Sequence, residues 1–258
     1  MKRHLFGKTC LVSFAILVSP TIAMTQGVMT PRVMTQDWSV VVNNGDIMPD
    51  SDRTYNSYNP PSINANELVV IRARSKGGQG QPVHGVYLRD MSLETEAFRV
   101  FDRTTELPYP NNLETTFIEP PAIPRIDILG DTVASRGVHA PVWEYVLPDM
   151  SETRVGTTGI YVYLEDLLLT GASNLGQAPD FEYLSVPGHP GVKFDVFPGA
   201  PAVVEDTIVF KGNYVVGTVG HTGVYYRDLE VDPITGGDNP PILIANNEIS
   251  EIPGTNGI

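Results

Sequence analysis

Cysteine is all but missing from this chain. The single one, Cys10, lies among the first 23 residues, which read as a leader, so the exported chain is expected to lack disulfides, thiolate zinc sites and a cysteine nucleophile. Long apolar runs are missing too. Leu11 to Val18 is too short, and too quickly followed by polar residues, for a membrane span, and no second run of that kind follows. Positive charge is scarce, with Lys+Arg 17 against Asp+Glu 30. Without the leader the balance becomes 14 against 30, a net charge of −16. Such a surface repels nucleic acid and anionic lipid.

Helical periodicity and the familiar catalytic signatures are also absent. There is no phosphate loop, dinucleotide fingerprint, Gly-x-Ser-x-Gly elbow or His-Glu-x-x-His pair, so no cofactor is expected. Asp50-Ser51-Asp52 offers oxygen ligands, but no calcium-loop spacing follows, and a solvated turn is the expectation there rather than a metal site.

The leader itself is well marked. Lys2, Arg3 and Lys8 make a positive n-region, Leu11 to Val18 the apolar h-region, and Thr21-Ile22-Ala23 places small residues for cleavage between Ala23 and Met24. Residues 1–23 are read as a secretory signal and 24–258 as the mature protein, secreted into an extracellular or periplasmic space.

Within the mature chain a unit of about 65 to 70 residues recurs. Pro61-Ser62-Ile63, Pro124-Arg125-Ile126 and Pro201-Ala202-Val203 each open a short apolar strand, an Asn/Asp turn and a longer β-branched strand. Lys76-Gly77, Arg136-Gly137 and Lys211-Gly212 follow. Then come Gly85-Val86-Tyr87, Gly159-Ile160-Tyr161 and Gly223-Val224-Tyr225, separated by 74 and 64 residues. A fourth strand closes each unit at Ala97 to Phe101, Leu167 to Leu169 and Ile242 to Ala245. Leu107-Pro108, Val186-Pro187 and Ile252-Pro253, with an earlier copy at Met48-Pro49, mark the linkers. Four short strands per period, parted by Gly, Pro and Asn, describe an antiparallel four-stranded sheet. The expected fold is all-β: a β-propeller-like array of about three four-stranded antiparallel blades, with units at roughly 48–106, 107–185 and 186–251. A flat β-sandwich and a β-solenoid are the alternatives.

The run from Val186-Pro187-Gly188 through Phe194, Pro201, Ile208 to Tyr214 and Thr222-Gly223-Val224-Tyr225-Tyr226-Arg227-Asp228-Leu229 resembles a family of exported tandem-repeat proteins with propeller-like blades, found in bacteria and algae. The resemblance covers the chain from Trp38 onward. It implies fold and export but no reaction and no catalytic residues. The second unit departs from it, with Glu165-Asp166 standing for the Arg89-Asp90 and Arg227-Asp228 step. Ser39 to Asn44 before Met48-Pro49 matches Ile242 to Asn247 before Ile252-Pro253. Residues 252–258 therefore read as entering a missing unit, and the array as incomplete or open, to be completed by a partner chain or further repeats.

In an antiparallel meander the second-to-third connections and the inter-unit linkers share one end. These are the long ones: Ser135 to Thr158, Arg103 to Ile123 and Gly171 to Ala200. Binding residues concentrate on long loops of a rigid scaffold. Trp143, Glu144, Tyr145 and Asp149 combine aromatic and acidic groups suited to a sugar or an apolar ring. Tyr109, Tyr214 and His189 lie toward the same end, whereas His84 and His221 read as structural or surface residues. The plainer alternative is that Trp143 packs its own loop. Three functions fit: a non-enzymatic extracellular binding or scaffold module for a glycan or protein ligand, a propeller-type hydrolase or lyase of carbohydrates or esters, or a structural surface protein. An enzyme needs two carboxylates, or one with a histidine, around a pocket on that end.

Overall fold

A computed structural model describes residues 38–78, 80–109, 115–139, 158–174, 181–230 and 238–248, together with the backbone of 143–146 and 152–155. Residues 1–23, Asp149 and residues 252–258 lie outside the described residues. The described chain is all-β, with one 3-10 turn at Glu182–Leu184.

Sheet 1 holds β1 (Tyr55–Tyr58), β2 (Ser62–Ile63), β3 (Leu68–Ser75), β4 (His84–Asp90) and β5 (Phe98–Asp102). Sheet 2 holds β6 (Phe117–Glu119), β7 (Arg125–Ile126) and β8 (Val133–His139). After a two-stranded hairpin, β9 (Trp143–Val146) with β10 (Glu152–Val155), it is completed by β11 (Thr158–Leu164) and β12 (Leu167–Ser173). Sheet 3 holds β13 (Ala202–Val204), β14 (Thr207–Val216), β15 (Val219–Asp228) and β16 (Ile242–Asn246). All three sheets are antiparallel, and none closes into a barrel.

Two features differ from the expectation of four strands. In sheets 1 and 2 the first long strand pairs along one edge with two short segments in turn: β1 and β2 on β3, β6 and β7 on β8. In sheet 3 the matching contact is a single bridge, Val196 to Asn213. The connection expected from Ser135 onward is also partly strand, since β8 runs to His139 and then feeds the β9–β10 hairpin.

Pairing defines which positions correspond. Gly85 stands opposite Ala73, Gly159 opposite Gly137 and Gly223 opposite Gly212. The basic-glycine steps are therefore not equivalent as read from sequence. Lys76-Gly77 lies beyond β3, and its place is taken by Arg72-Ala73. Likewise Val69, Val133 and Ile208 face Arg89, Tyr163 and Arg227. Tyr163, not Glu165, thus occupies the arginine position of sheet 2. Glu165 and Asp166 form the two-residue turn from β11 to β12, both at positive φ (48° and 64°), the geometry that matches hairpin twist.

At those glycines the packing is the same in every sheet. Tyr87, Tyr161 and Tyr225 are completely buried, and each folds back over the glycine two residues earlier on its own strand. A Cβ on Gly85 or Gly223 would come within 2.6 Å of the tyrosine hydroxyl. An aromatic from the preceding segment then stands edge-on against the tyrosine. Tyr55 meets Tyr87 at 5.3 Å and 83°, Phe117 meets Tyr161 at 4.7 Å and 86°, and Phe194 meets Tyr225 at 4.9 Å and 78°.

The opposite faces of the strands pack sheet on sheet. Val70, Val86, Leu88 and Phe101 of sheet 1 meet Phe117, Val133 and Tyr161 of sheet 2. Ala134, Ile160 and Val162 of sheet 2 meet Ile208, Phe210 and Tyr225 of sheet 3. The arginine position spans these seams. Arg227, wholly buried, donates to the carbonyls of Thr170 (3.0 Å) and Gly171 (2.9 Å) on β12 and of Asn239 (2.6 Å), and lies 5.6 Å over the Tyr183 ring. Burial pushes its pKa down to about 10, with Tyr183 and Asp238 acting the other way, so it stays charged at neutral pH. Arg89 bonds the carbonyls of Val40 (3.0 Å) and Val41 (2.5 Å). Tyr163 instead packs on Phe98 of β5 at 5.8 Å.

Phe117→Ala removes the aromatic that pins β6 to Tyr161, and is expected to cost about 3–5 kcal/mol. The half-exposed neighbour change Ile118→Ala should stay within about 0.5 kcal/mol. Urea unfolding of the two variants checks the pair; equal losses would show that the aromatic contact is not what holds the segment.

Candidate functional site

Among the described residues, titratable groups converge at the loop end of sheet 3. Tyr214 near the end of β14 and His221 near the start of β15 are directly paired across the hairpin, and their rings stack at 5.2 Å and 23°. His189, in the linker before the sheet, packs on the same tyrosine at 5.3 Å. Glu248, two residues past β16, completes the group.

Its Oε2 accepts from the Tyr214 hydroxyl at 2.9 Å, lies 2.8 Å from His189 Nε2, and is 4.0 Å from His221 Nδ1. Asn246 positions both sides of this contact. Its Nδ2 donates to the Tyr214 hydroxyl at 3.0 Å, and its Oδ1 accepts the Glu248 amide at 3.2 Å.

The local sequence explains why these groups meet. The β14–β15 hairpin turns at Gly217-Thr218, with Gly217 at φ 61°, so both long strands run past the rest of the sheet and carry Tyr214 and His221 out with them. A turn in the linker, closed by His189 N–H to Val186 O and Val192 N–H to His189 O, sets the imidazole beside them.

The electrostatics follow from those bonds. The Tyr214 hydroxyl holds the Glu248 carboxyl below its ordinary pKa; desolvation opposes this, and His189 and His221 add to the lowering. Tyr214 moves upward, through burial first and then through its bond to Glu248. A carboxylate held ionised by a donor on Oε2 is a firm hydrogen-bond acceptor and a weak base at neutral pH. The His189–Glu248 pair has, in addition, the arrangement by which a carboxylate orients an imidazole for proton transfer.

The residues expected from the sequence are distributed differently. Tyr214 belongs to the cluster, but as a buried member, 1% exposed, offering its hydroxyl and not its ring. Tyr109 is half-buried and packs on Phe181 at 5.7 Å, away from Tyr214. Trp143, Glu144 and Tyr145 fall on β9, opposite Val155, Arg154 and Thr153 of β10; their side chains and Asp149 lie outside the described residues. His221 and Glu248 were not expected. Nothing local marks them, and only the shared loop-end phase of His189, His221 and the segment after Asn246-Asn247 points to them.

Asp50 at positive φ and Ser51 form a turn, with Asp50 3.1 Å from Arg99. Among the described residues no group of three or more His, Cys, Asp or Glu is placed to hold a metal ion, and no helix is long and apolar enough to cross a membrane. An open depression lies apart from the cluster, on sheet 1, lined by Val42, Met48, Asp50, Tyr55, Arg89 and Glu96.

Compared with known proteins, the chain gives no match to a family model, to a curated protein or to a solved structure.

Because the Glu248 pKa is depressed in the folded protein, its contribution to stability is fully present above its ordinary value of 4.5 and is lost as pH falls through the lower folded value. Glu248→Gln should therefore remove part of the stability loss seen below about pH 4.5. Melting temperature against pH for both proteins measures this, and parallel acid limbs would contradict the coupling.

Proposed function

We propose that this chain is an exported, non-enzymatic binding or scaffold module, built as a propeller-like array of tandem sheets like those of the exported repeat proteins it resembles. The observation that carries the binding reading is the Glu248 carboxylate, whose Oε2 is held by Tyr214 and His189. A carboxylate held ionised by a phenol and an imidazole presents fixed hydrogen-bond geometry but poor acid or base strength at neutral pH.

The propeller-like reading draws support from the short strands. The Ser62 hydroxyl donates to Pro124 O at 2.7 Å, Ala65 N–H to Ile128 O at 2.9 Å and the Asn64 amide to Gly130 O at 2.6 Å. The β2–β3 and β7–β8 turns therefore lie side by side, and β13 lies against β7. Adjacent first strands of successive sheets are what radial repetition requires.

The scaffold reading draws on sheet 3. Val224 is 38% exposed, although the matching Val86 and Ile160 are 0% and 1% exposed under the next sheet. Ile242 and Ile244 flank it at 46% and 53%. A partner chain or further repeats would cover this face. The second reading, a hydrolase or lyase, is favoured by one feature alone, the 2.8 Å contact of His189 with Glu248.

A glycan and small-molecule binding screen on residues 24–258, repeated with His189→Ala and Glu248→Ala, tests the choice. Binding without turnover, weakened by both changes, is expected. Turnover of a glycoside or ester abolished by His189→Ala would replace the binding reading with the enzymatic one. Export is tested separately: mass spectrometry of secreted material should find an N-terminus within a few residues of Met24, and an exported chain that keeps Met1 would contradict it.

A further inference from the structure

Sheet 1 carries a row of basic side chains that the other two sheets do not. Arg74 on β3 stands directly opposite His84 on β4. On the other flank of His84, the Arg103 amide donates to the His84 carbonyl at 3.1 Å, the next place after the Gly85–Asp102 pair. Directly opposed residues of antiparallel strands share a face, so the three form one line across β3, β4 and the end of β5. Arg72, two residues back on β3, projects from the same side.

The same line elsewhere is neutral, and in sheet 3 it satisfies itself. In sheet 3 it reads Asn213, Thr222, Asn247. There the Thr222 hydroxyl donates to Asn213 Oδ1 at 2.8 Å, and its amide donates to Asn247 Oδ1 at 2.9 Å. In sheet 2, Val138 faces Thr158, and Asn174 follows β12.

Like charges placed side by side across strands destabilise a sheet, and this row is only partly compensated. Glu119 on β6 lies 3.7 Å from Arg72 Nη2 and 3.5 Å from His84 Nδ1. Among the described residues neither Arg74 nor Arg103 has a carboxylate at ion-pair distance. Burial first, and then the three arginines, lower the His84 pKa against the pull of Glu119. Among the described residues the counter-charge that the imidazole meets is Glu119, which it shares with Arg72.

We propose that the Arg74–His84–Arg103 row, backed by Arg72, is a binding site for an oxyanion group, sulfate or carboxylate, carried by an acidic ligand. Guanidinium groups present forked donors that match such groups, and an anion between the arginines removes their mutual repulsion. The acidic whole does not forbid this. At physiological ionic strength the screening length is about 8 Å, so the local row outweighs distant carboxylates. The site is separate from the Glu248 cluster and stands whether or not that cluster binds anything.

The test uses residues 24–258 with two probes, sodium sulfate and sodium galacturonate, against sodium chloride at matched ionic strength. Saturable binding by calorimetry and a melting point above that in chloride are expected for one probe or both. Sulfate alone would identify a sulfated ligand, and galacturonate alone a carboxylated one. Binding near pH 6.5 should take up protons, seen as a heat that depends on the buffer, because an anion beside His84 raises its affinity for a proton. Arg74→Gln combined with Arg103→Gln should weaken binding by about tenfold or more. In chloride alone it should melt higher than the parent, since the repulsion is gone; a purely structural row would melt lower. Should the double variant fail to fold, Arg74→Gln at its exposed position carries the same comparison. Two results overturn the proposal: neither probe acting beyond chloride, or the variant binding as the parent does.

Discussion

The edge-on contact between a strand tyrosine and the aromatic of the preceding segment organises each sheet of this protein. A glycine two residues before the tyrosine leaves a hole on the strand, and the ring lies down in it. The flattened ring then offers its face to Tyr55, Phe117 or Phe194. Each such pair contributes about 0.5–1.5 kcal/mol beyond the area it buries, and glycine in a strand costs about 0.5–1 kcal/mol relative to alanine. The contact therefore gains little by itself. Its weight lies in what it fixes: the linker that brings the aromatic is pinned to the middle of the sheet, and the first short strand must follow from there. In sheets 2 and 3 the constraint is tighter, because Gly137 and Gly212 open the facing strand as well. A Cβ at Gly212 would lie 2.6 Å from the Phe194 ring.

Once the linkers are pinned, the seams between sheets have one place to form. The residue two beyond each tyrosine on the same strand, Arg89, Tyr163 or Arg227, projects over the same face. In sheets 2 and 3 it reaches the last strand of the sheet before, β5 or β12. Arg227 does so with charge and Tyr163 with an aromatic ring, so the position asks for a long side chain with a polar end more than for a given charge. A fully buried guanidinium would be costly without partners, and the three carbonyls around Arg227 supply them. Arg89 holds Val40 and Val41 by the same pair of bonds that Arg227 makes to β12. The segment before Met48 thus takes the place, relative to sheet 1, that β12 takes relative to sheet 3.

What was legible in the sequence follows from this. Glycine, apolar residue and tyrosine sit on one strand, so their requirement is written in three adjacent letters, and the all-β pattern with three such steps could be read directly. Cross-strand requirements are written in residues far apart. Lys76-Gly77 looked like Arg136-Gly137 and Lys211-Gly212, yet the true counterpart is Arg72-Ala73, because alanine is small enough to face Gly85. Glu165-Asp166 looked like a changed Arg-Asp step, yet it is a hairpin turn, and the long side chain of the seam is Tyr163. The early edge strands, β1 and β6, were invisible because they add only a few residues, and their role is to present one aromatic. The Glu248 cluster was hidden for a related reason: it is assembled from a linker, two strands and a segment beyond β16, with no motif among them.

The same logic separates scaffold from function within this chain. Positions inside the aromatic contact keep their chemistry from sheet to sheet, since a change there meets a ring or a glycine. Positions one step nearer the loop end do not. The row Asn213–Thr222–Asn247 satisfies itself in sheet 3, whereas the matching row of sheet 1 sets Arg74 and Arg103 beside His84. The place of Tyr214, which in sheet 3 meets Glu248, belongs in sheets 1 and 2 to Ser75 and His139, both buried. Folding demands alike on three sheets cannot account for chemistry that differs among them. Differences at equivalent positions, laid over a constant lock, are where selection for a ligand has room to act, and both clusters of titratable groups lie there.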